Sequence, residues 1–187
     1  MIKLIVGLGN PGRQYEKTRH NVGFLFLDGL VSGCGWTRES KFDGLLTEIG
    51  VVGCKVVLLK PDIFMNRSGQ SVGKVARYYK LVAEEILVVH DELDLDVGVV
   101  RLKKDGGHAG HNGLRDIVAH LGSKGFYRLR IGIGRPPVGS VVADFVLSDP
   151  SRSEWGGILS AFDFAGAYVE QMITGDMSVV MNKLNSR

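Results

Sequence analysis

An apolar run, Leu4-Ile5-Val6, breaks into Gly7-Leu8-Gly9-Asn10-Pro11-Gly12, and this transition constrains the fold more than any other stretch. A run of that length, bounded by glycines and a proline, predicts a buried strand that the chain leaves abruptly at its carboxyl end. Open α/β sheets carry their sites at such ends. Side chains with chemical capacity follow at once: Asn10, Tyr15, Arg19, His20 and Asn21. A histidine there can act as a general base, or it can be an ordinary hydrogen-bonded surface residue.

The glycine turn also fits G-x-G-x-x-G, the pattern of dinucleotide-binding turns. Pro11 removes one backbone N–H from any phosphate cradle, and charged and polar residues follow Gly12 where such a motif opens an apolar helix. The acid about 20 residues on that would bind a ribose is missing from a strand end, since Asp28 falls within the helical run Phe24 to Leu30. A nucleotide-dependent oxidoreductase therefore stands as an alternative without its supporting parts.

At 187 residues, with 44% hydrophobic and 23% charged residues, the chain suits one globular domain that buries a full core. No apolar segment approaches the roughly 20 residues of a membrane span, and the amino terminus enters a strand without a signal pattern. The expected compartment is cytoplasmic. Cys34 and Cys54 form neither a disulfide framework nor a metal pair and are expected to be reduced and structural. Charge is unevenly spread: Val99 to Arg135 holds eight basic residues against Asp105 and Asp116, giving +6 where the whole chain has +3. That concentration points to a polyanionic partner or to a solvated basic face.

Val22 to Val31 has helical spacing and is closed by Gly33 and Gly35. Trp36 to Gly44 reads as irregular. Leu45 to Gly50 and Lys55 to Leu59 flank a turn at Val52-Gly53, a β-hairpin whose second arm is the more interior. The loop Lys60 to Gly69 exposes Phe64, Met65 and Asn66 or caps the core with them, and Gln70 to Leu81 follows as a helix with Val72, Val75, Ala76 and Tyr79 on one face. Ile86 to Val89 is a buried strand delivering His90-Asp91-Glu92. Its acids lack EF-hand spacing, whereas one carboxylate at a strand tip beside His20 supplies a base with an orienting partner. Val99 to Lys103 alternates as a strand and enters the glycine-rich loop Lys104 to Gly113. His108 and His111 in that loop make a poorly braced zinc pair. Asn112 opens a helix from Leu114 to Leu121, as its N-cap or as a site residue. Phe126 to Ile133 is a strand with Arg128 and Arg130 on one face. Ala143 to Leu147 reads as a short strand within a long loop, Ser151 to Thr174 as one long helix, and Asp176 to Leu184 as a last short one.

Four stretches together carry a resemblance: Gly7 to Gly12 with Tyr15 and Thr18-Arg19-His20-Asn21-Val22-Gly23; Lys60-Pro61 with Phe64-Met65-Asn66-Arg67-Ser68-Gly69; His90 to Leu95; and Gly106-Gly107-His108-Ala109-Gly110-His111-Asn112-Gly113-Leu114. In order and spacing the chain resembles the bacterial-type peptidyl-tRNA hydrolases from Lys3 to about Leu147. The resemblance implies a single α/β domain over residues 1–187, three-layered, with a mixed and mostly parallel central sheet between helices. It implies a monomer that hydrolyses the ester between a peptide and the 3′-terminal ribose of tRNA. His20 would be the base, Asp91 its partner, and Asn10 would face the peptide. Tyr15, Phe64, Asn66 and Asn112 would contact the tRNA end or the scissile region, and Lys103 with Arg130 would clamp the 5′-phosphate. The chain departs from the family pattern at Asp105 and Ala109, where glycines are usual, and at Asp62-Ile63. A carboxylate at 105 beside Lys103 and Lys104 would weaken phosphate binding.

The residue inventory fits this chemistry. No thiol stands in a catalytic setting, so water activated by His20 is the simplest nucleophile. Amides of Asn66 or Asn112, or backbone amides of the glycine loops, would hold the oxyanion. No cofactor and no metal is called for. A non-catalytic RNA-binding domain, supported by the basic stretch alone, is the third reading.

Overall fold

The strand expected at Leu4–Val6 is β1 (Leu4–Gly7), buried at every position. In the computed structural model, which describes residues 1–31 and 35–186, β1 lies in the middle of a seven-stranded sheet. The other strands are β2 (Thr37–Glu39), β3 (Gly44–Val51), β4 (Cys54–Pro61), β5 (Ile86–Glu92), β6 (Val100–Lys104) and β7 (Tyr127–Gly132). Their order is β2-β3-β4-β1-β5-β7-β6. β4, β1, β5 and β7 run parallel, and the margins are antiparallel. The mixed sheet implied by the sequence is present, with its parallel part at the centre. Helices cover both faces, so the central strands read as unbroken apolar runs.

Side-chain alternation divides the core in two. Ile5, Leu58, Leu87, Val89, Leu129 and Ile131 face one layer, packed by α1 (Val22–Leu30), α5 (Arg152–Gly166), α6 (Val169–Thr174) and α7 (Met177–Asn185). Leu4, Val6, Leu59, Ile86 and Val88 face the other, packed by α2 (Ser68–Tyr78) and α3 (Asn112–Leu121). This is the three-layer arrangement.

Several local readings need correction. Trp36 to Gly44 is not wholly irregular, because Thr37–Glu39 adds to the hairpin edge as β2 and Ser40–Phe42 makes a 3-10 turn. Ala143–Leu147 is not a strand: Val142–Val146 is the short helix α4, whose Val142, Phe145 and Val146 have one-turn spacing. The long helix breaks after Gly166 into α5 and α6. α2 begins at Ser68, earlier than Gln70, and Tyr79 lies just beyond it, 39% exposed instead of facing the core. His111, not Asn112, is the N-cap of α3, its side chain accepting from the Leu114 N–H. Cys54 is a free thiol; Cys34, with Gly33, lies outside the described residues.

The edge strand β6 is covered by the end of α7. Asn185 mimics a neighbouring strand there, its Oδ1 accepting from the Leu102 N–H at 3.0 Å and its Nδ2 donating to the Leu102 carbonyl at 2.9 Å.

Two glycines decide how closely α1 sits on the tip of β1. A Cβ on Gly23 would lie 2.4 Å from the Leu8 nitrogen and 2.4 Å from the Val89 carbonyl oxygen, and one on Gly7 would lie 2.4 Å from the Gly23 carbonyl oxygen. These are backbone atoms and cannot rotate away. Gly23→Ala is expected to destabilise the fold by about 1–3 kcal/mol, the usual cost of overpacking, read as a fall in the urea midpoint with an unchanged slope.

Candidate active site

The site follows from that close contact. β1 and β5 are parallel neighbours in register Gly7↔Val89, so the chain leaving β1 emerges beside His90, Asp91 and Glu92. The Leu8 N–H extends the pairing by donating to the Val89 carbonyl at 3.0 Å. The loop then returns, and the 3-10 turn Arg19–Asn21 sets His20 directly ahead of α1.

Polar contacts fix the loop. The Asn10 N–H donates to Asn21 Oδ1 and Asn21 Nδ2 donates to the Asn10 carbonyl, both at 2.9 Å, closing residues 10 to 21 into a ring. Asn10 Oδ1 accepts from the Met65 N–H at 2.7 Å, tying this loop to the one after β4. Arg19, almost fully buried, donates to both Glu154 carboxylate oxygens at 2.9 Å and to Ser148 Oγ at 2.7 Å, with its guanidinium 4.3 Å from the centre of the Phe145 ring. Arg19 and Asn21 are thus used in holding the turn, which leaves His20 as its outward-facing group.

His20 Nδ1 lies 2.8 Å from Asp91 Oδ1. The other ring nitrogen has no protein partner among the described residues and faces a cavity of about 780 Å³. Burial alone would lower the His20 pKa, but the Asp91 carboxylate outweighs it and raises the pKa above its ordinary value. Burial would raise Asp91, yet His20 and His111 together hold it well below the usual carboxylate range. Asp91 is therefore ionised at neutral pH. His90, the next residue, is pushed down to about 3 by burial and by His111, so it is a neutral ring.

His111 was not singled out as a catalytic-site residue by sequence reasoning. Its Nε2 lies 2.9 Å from the same Asp91 Oδ1 that His20 contacts. The available signal was its position just before α3: an N-cap side chain is fixed in direction, and this one points at the tip of β5. The donor atoms of His20, Asp91 and His111 lie within 4.8 Å of one another, which invites a metal reading. However, the two N···O separations of 2.8 and 2.9 Å are hydrogen-bond lengths, shorter than the roughly 3.3 Å edge of a tetrahedron with 2.0 Å bonds. The geometry is that of two N–H groups donating to one oxygen.

Of the other residues singled out in the sequence, Asn10, Tyr15, Phe64, Asn66 and Asn112 line the same cavity. Phe64 is 56% exposed and meets Tyr15 edge-to-face at 6.5 Å, whereas Met65 is in the core. The two readings of that loop thus divide between adjacent residues. Lys103 and Arg130 do not line the cavity. They project from one face of β6 and β7 as diagonal neighbours, with Arg130 one strand over from His90.

Much of the basic stretch is engaged internally. Arg130 Nε pairs with Glu92 at 3.0 Å, Arg135 pairs with Asp94, Arg128 donates to the Gly106 carbonyl at 2.8 Å, and Arg101 donates to the Leu184 carbonyl at 3.0 Å. Lys103 has no ion-pair partner among the described residues. Asp105 and Ala109 both have positive φ, 64° and 45°, in the region glycine favours. The Asp105 carboxylate accepts from the Gly106 N–H and counters the lowering of Arg128 by burial.

A family model described as Peptidyl-tRNA hydrolase matches residues 4–187. The chain is 54% identical to the peptidyl-tRNA hydrolase of Methylococcus capsulatus, over 99% of this chain and all of that protein. It is 48% identical to that of Dichelobacter nodosus over the full length of both. The crystal structure of peptidyl-tRNA hydrolase from Acinetobacter baumannii superimposes with a TM-score of 0.94 at 45% identity, covering 98% of this chain and 94% of that one. With matches of this length and closeness, the chain belongs to the peptidyl-tRNA hydrolase family, hydrolases of the ester bond of peptidyl-tRNA.

Proposed function

We propose that this chain cleaves peptidyl-tRNA by direct attack of water, with His20 as the general base. The observation that carries the reading is the 2.8 Å contact between His20 Nδ1 and Asp91 Oδ1 beside a cavity reached by the other ring nitrogen. Asp91 accepts the Nδ1 proton, so Nε2 presents a lone pair to a water in the cavity. As that water attacks the ester carbonyl, the proton passes to Nε2 and Asp91 steadies the imidazolium. The electron pair of the breaking C–O bond leaves with the ribose oxygen, which takes the proton held on Nε2 and so restores the neutral ring. Asn10 faces the peptide part, since its Oδ1 is committed to Met65 and its Nδ2 is left for substrate. Asn66 and Asn112 line the same cavity, and their amide groups are the proposed donors to the developing oxyanion.

Tyr15 and Phe64 offer faces on which the unpaired 3′ bases can stack. Lys103 and Arg130, outside the cavity, meet phosphates of the acceptor stem, a salt-sensitive contact indifferent to sequence. All these groups come from one chain, so the site is complete in a monomer. A substrate made on the ribosome places the work in the cytoplasm.

The test is release of peptide from N-blocked aminoacyl-tRNA with the unblocked form spared. Stoichiometric tRNA binding without release over many hours would make the protein an RNA-binding domain instead. Lys103, which has no ion-pair partner among the described residues, gives a sharper expectation. Lys103→Ala should raise the KM for full-length substrate and reduce the slope of log KM against log salt by about one. A short ester lacking the acceptor stem should be hydrolysed as before, and equal losses on both substrates would assign Lys103 to the fold or the chemistry.

A further inference from the structure

We propose that His111 is a positioning residue for the catalytic pair: by donating its own Nε2–H to Asp91 Oδ1, it limits how strongly Asp91 holds the ring proton of His20. The inference rests on the reading of His20 as the base. It starts from the tautomer of His111, which its surroundings fix. His111 Nδ1 accepts from the Leu114 N–H at 3.3 Å as the cap of α3, so the ring hydrogen is on Nε2. That hydrogen points to Asp91 Oδ1 at 2.9 Å, while His20 Nδ1 approaches the same atom at 2.8 Å.

Two donors on one oxygen share its negative charge. Without the second donor, Asp91 would be a stronger acceptor for His20 and would stabilise the imidazolium more, leaving a weaker population of base at a given pH. The rings of His20 and His111 are 5.1 Å apart and tilted by 50°, so the same contact also braces the catalytic ring. Behind His111, the His90 ring stands edge-on at 5.0 Å. His90 Nδ1 donates to the Asp91 carbonyl at 2.7 Å, and its buried Nε2 has no partner among the described residues.

Other charged groups near His20 are already matched. Glu92 is paired with Arg130 and Asp94 with Arg135, and Arg19 on the same turn is taken by Glu154. His108 lines the outer cavity, its Nδ1 accepting from the Gly110 N–H. Among these groups, Asp91 and His111 are the ones in direct contact with the His20 ring.

Two substitutions separate the positioning role from the cap. His111→Asn puts an amide oxygen where Nδ1 was, so the helix cap survives, but the side chain is too short to reach Asp91. His111→Gln puts an N–H donor where Nε2 was and loses the cap. For His111→Asn we expect a melting temperature close to wild type, an unchanged KM and a kcat lower by about tenfold, as for the loss of other supporting contacts. The acid limb of its kcat profile should move up by about one pH unit. His111→Gln should melt lower yet keep the acid limb at the wild-type position. The His20 ring titration, followed by NMR without substrate, should show the same upward shift in His111→Asn. An unshifted His20 titration in that variant, or equal shifts in both, would overturn the inference. A shift in the NMR titration, in a protein that releases no peptide, would leave the His111 contact standing and remove the proposed function.

Discussion

His20→Ala is expected to lower kcat by about 10²-fold or more while leaving the affinity for tRNA nearly unchanged. The ring is a small part of a large cavity, and its one protein hydrogen bond among the described residues goes to Asp91. The groups expected to hold tRNA are elsewhere: Tyr15 and Phe64 at the cavity wall, and Lys103 on a separate strand. The wild-type profile carries its own check. The base works only when neutral, and the Asp91 carboxylate raises its pKa, so kcat/KM should fall on the acid side with a midpoint above the unperturbed value of about 6.5. Unchanged turnover in the alanine variant, or a midpoint well below that value, would remove His20 from the proton transfer.

Asp91→Asn should lower kcat by up to the loss expected for His20→Ala, since Asp91 acts through that ring, by analogy with the wrong-tautomer effect in serine protease triads. An amide turned with its oxygen toward His20 loses the negative charge that steadies the imidazolium. Turned the other way, it offers N–H groups to a ring nitrogen that must then become the acceptor, and the proton moves to Nε2 where the lone pair is needed. Two rings depend on this oxygen, so the variant disturbs His111 as well. Stability should respond with a definite sign. A carboxyl whose folded pKa is depressed contributes stability that is fully present above its unfolded value of about 3.9 and is lost as pH falls toward the folded value. The wild type's advantage over Asp91→Asn should therefore grow as pH falls through the raised His20 pKa, where the imidazolium forms beside the carboxylate, and shrink below about pH 4 as Asp91 takes up its proton. Chemical denaturation at a series of pH values measures it, and an advantage that still grows below about pH 4 would refute the assignment of Asp91 as an ionised acceptor.

Much of this arrangement was legible in the sequence because it depends on abrupt local changes. Glycines and Pro11 after an apolar run mark the tip of β1, and the run before His90 marks the tip of β5. In a parallel sheet, two such tips on neighbouring strands bring their next residues together. What could not be read was contact made by direction rather than by spacing. His111 looked like half of a weak zinc pair, since nothing in a glycine-rich loop tells which way an imidazole points until the helix after it fixes the cap. The charge tally of the basic stretch misled in the same way, because pairing with Glu92 and Asp94 depends on strand register. The strand expected at Ala143–Leu147 failed for another reason: Phe145 is drawn against Arg19, and that contact suits one helical turn.

The Asn185 side chain occupies both backbone hydrogen-bonding groups of Leu102 on an outer strand that would otherwise offer a free ladder to another polypeptide. A single amide thus discourages self-association through that border of the molecule. The strand it guards is the one bearing Lys103. A second chain pairing there would first have to displace that amide.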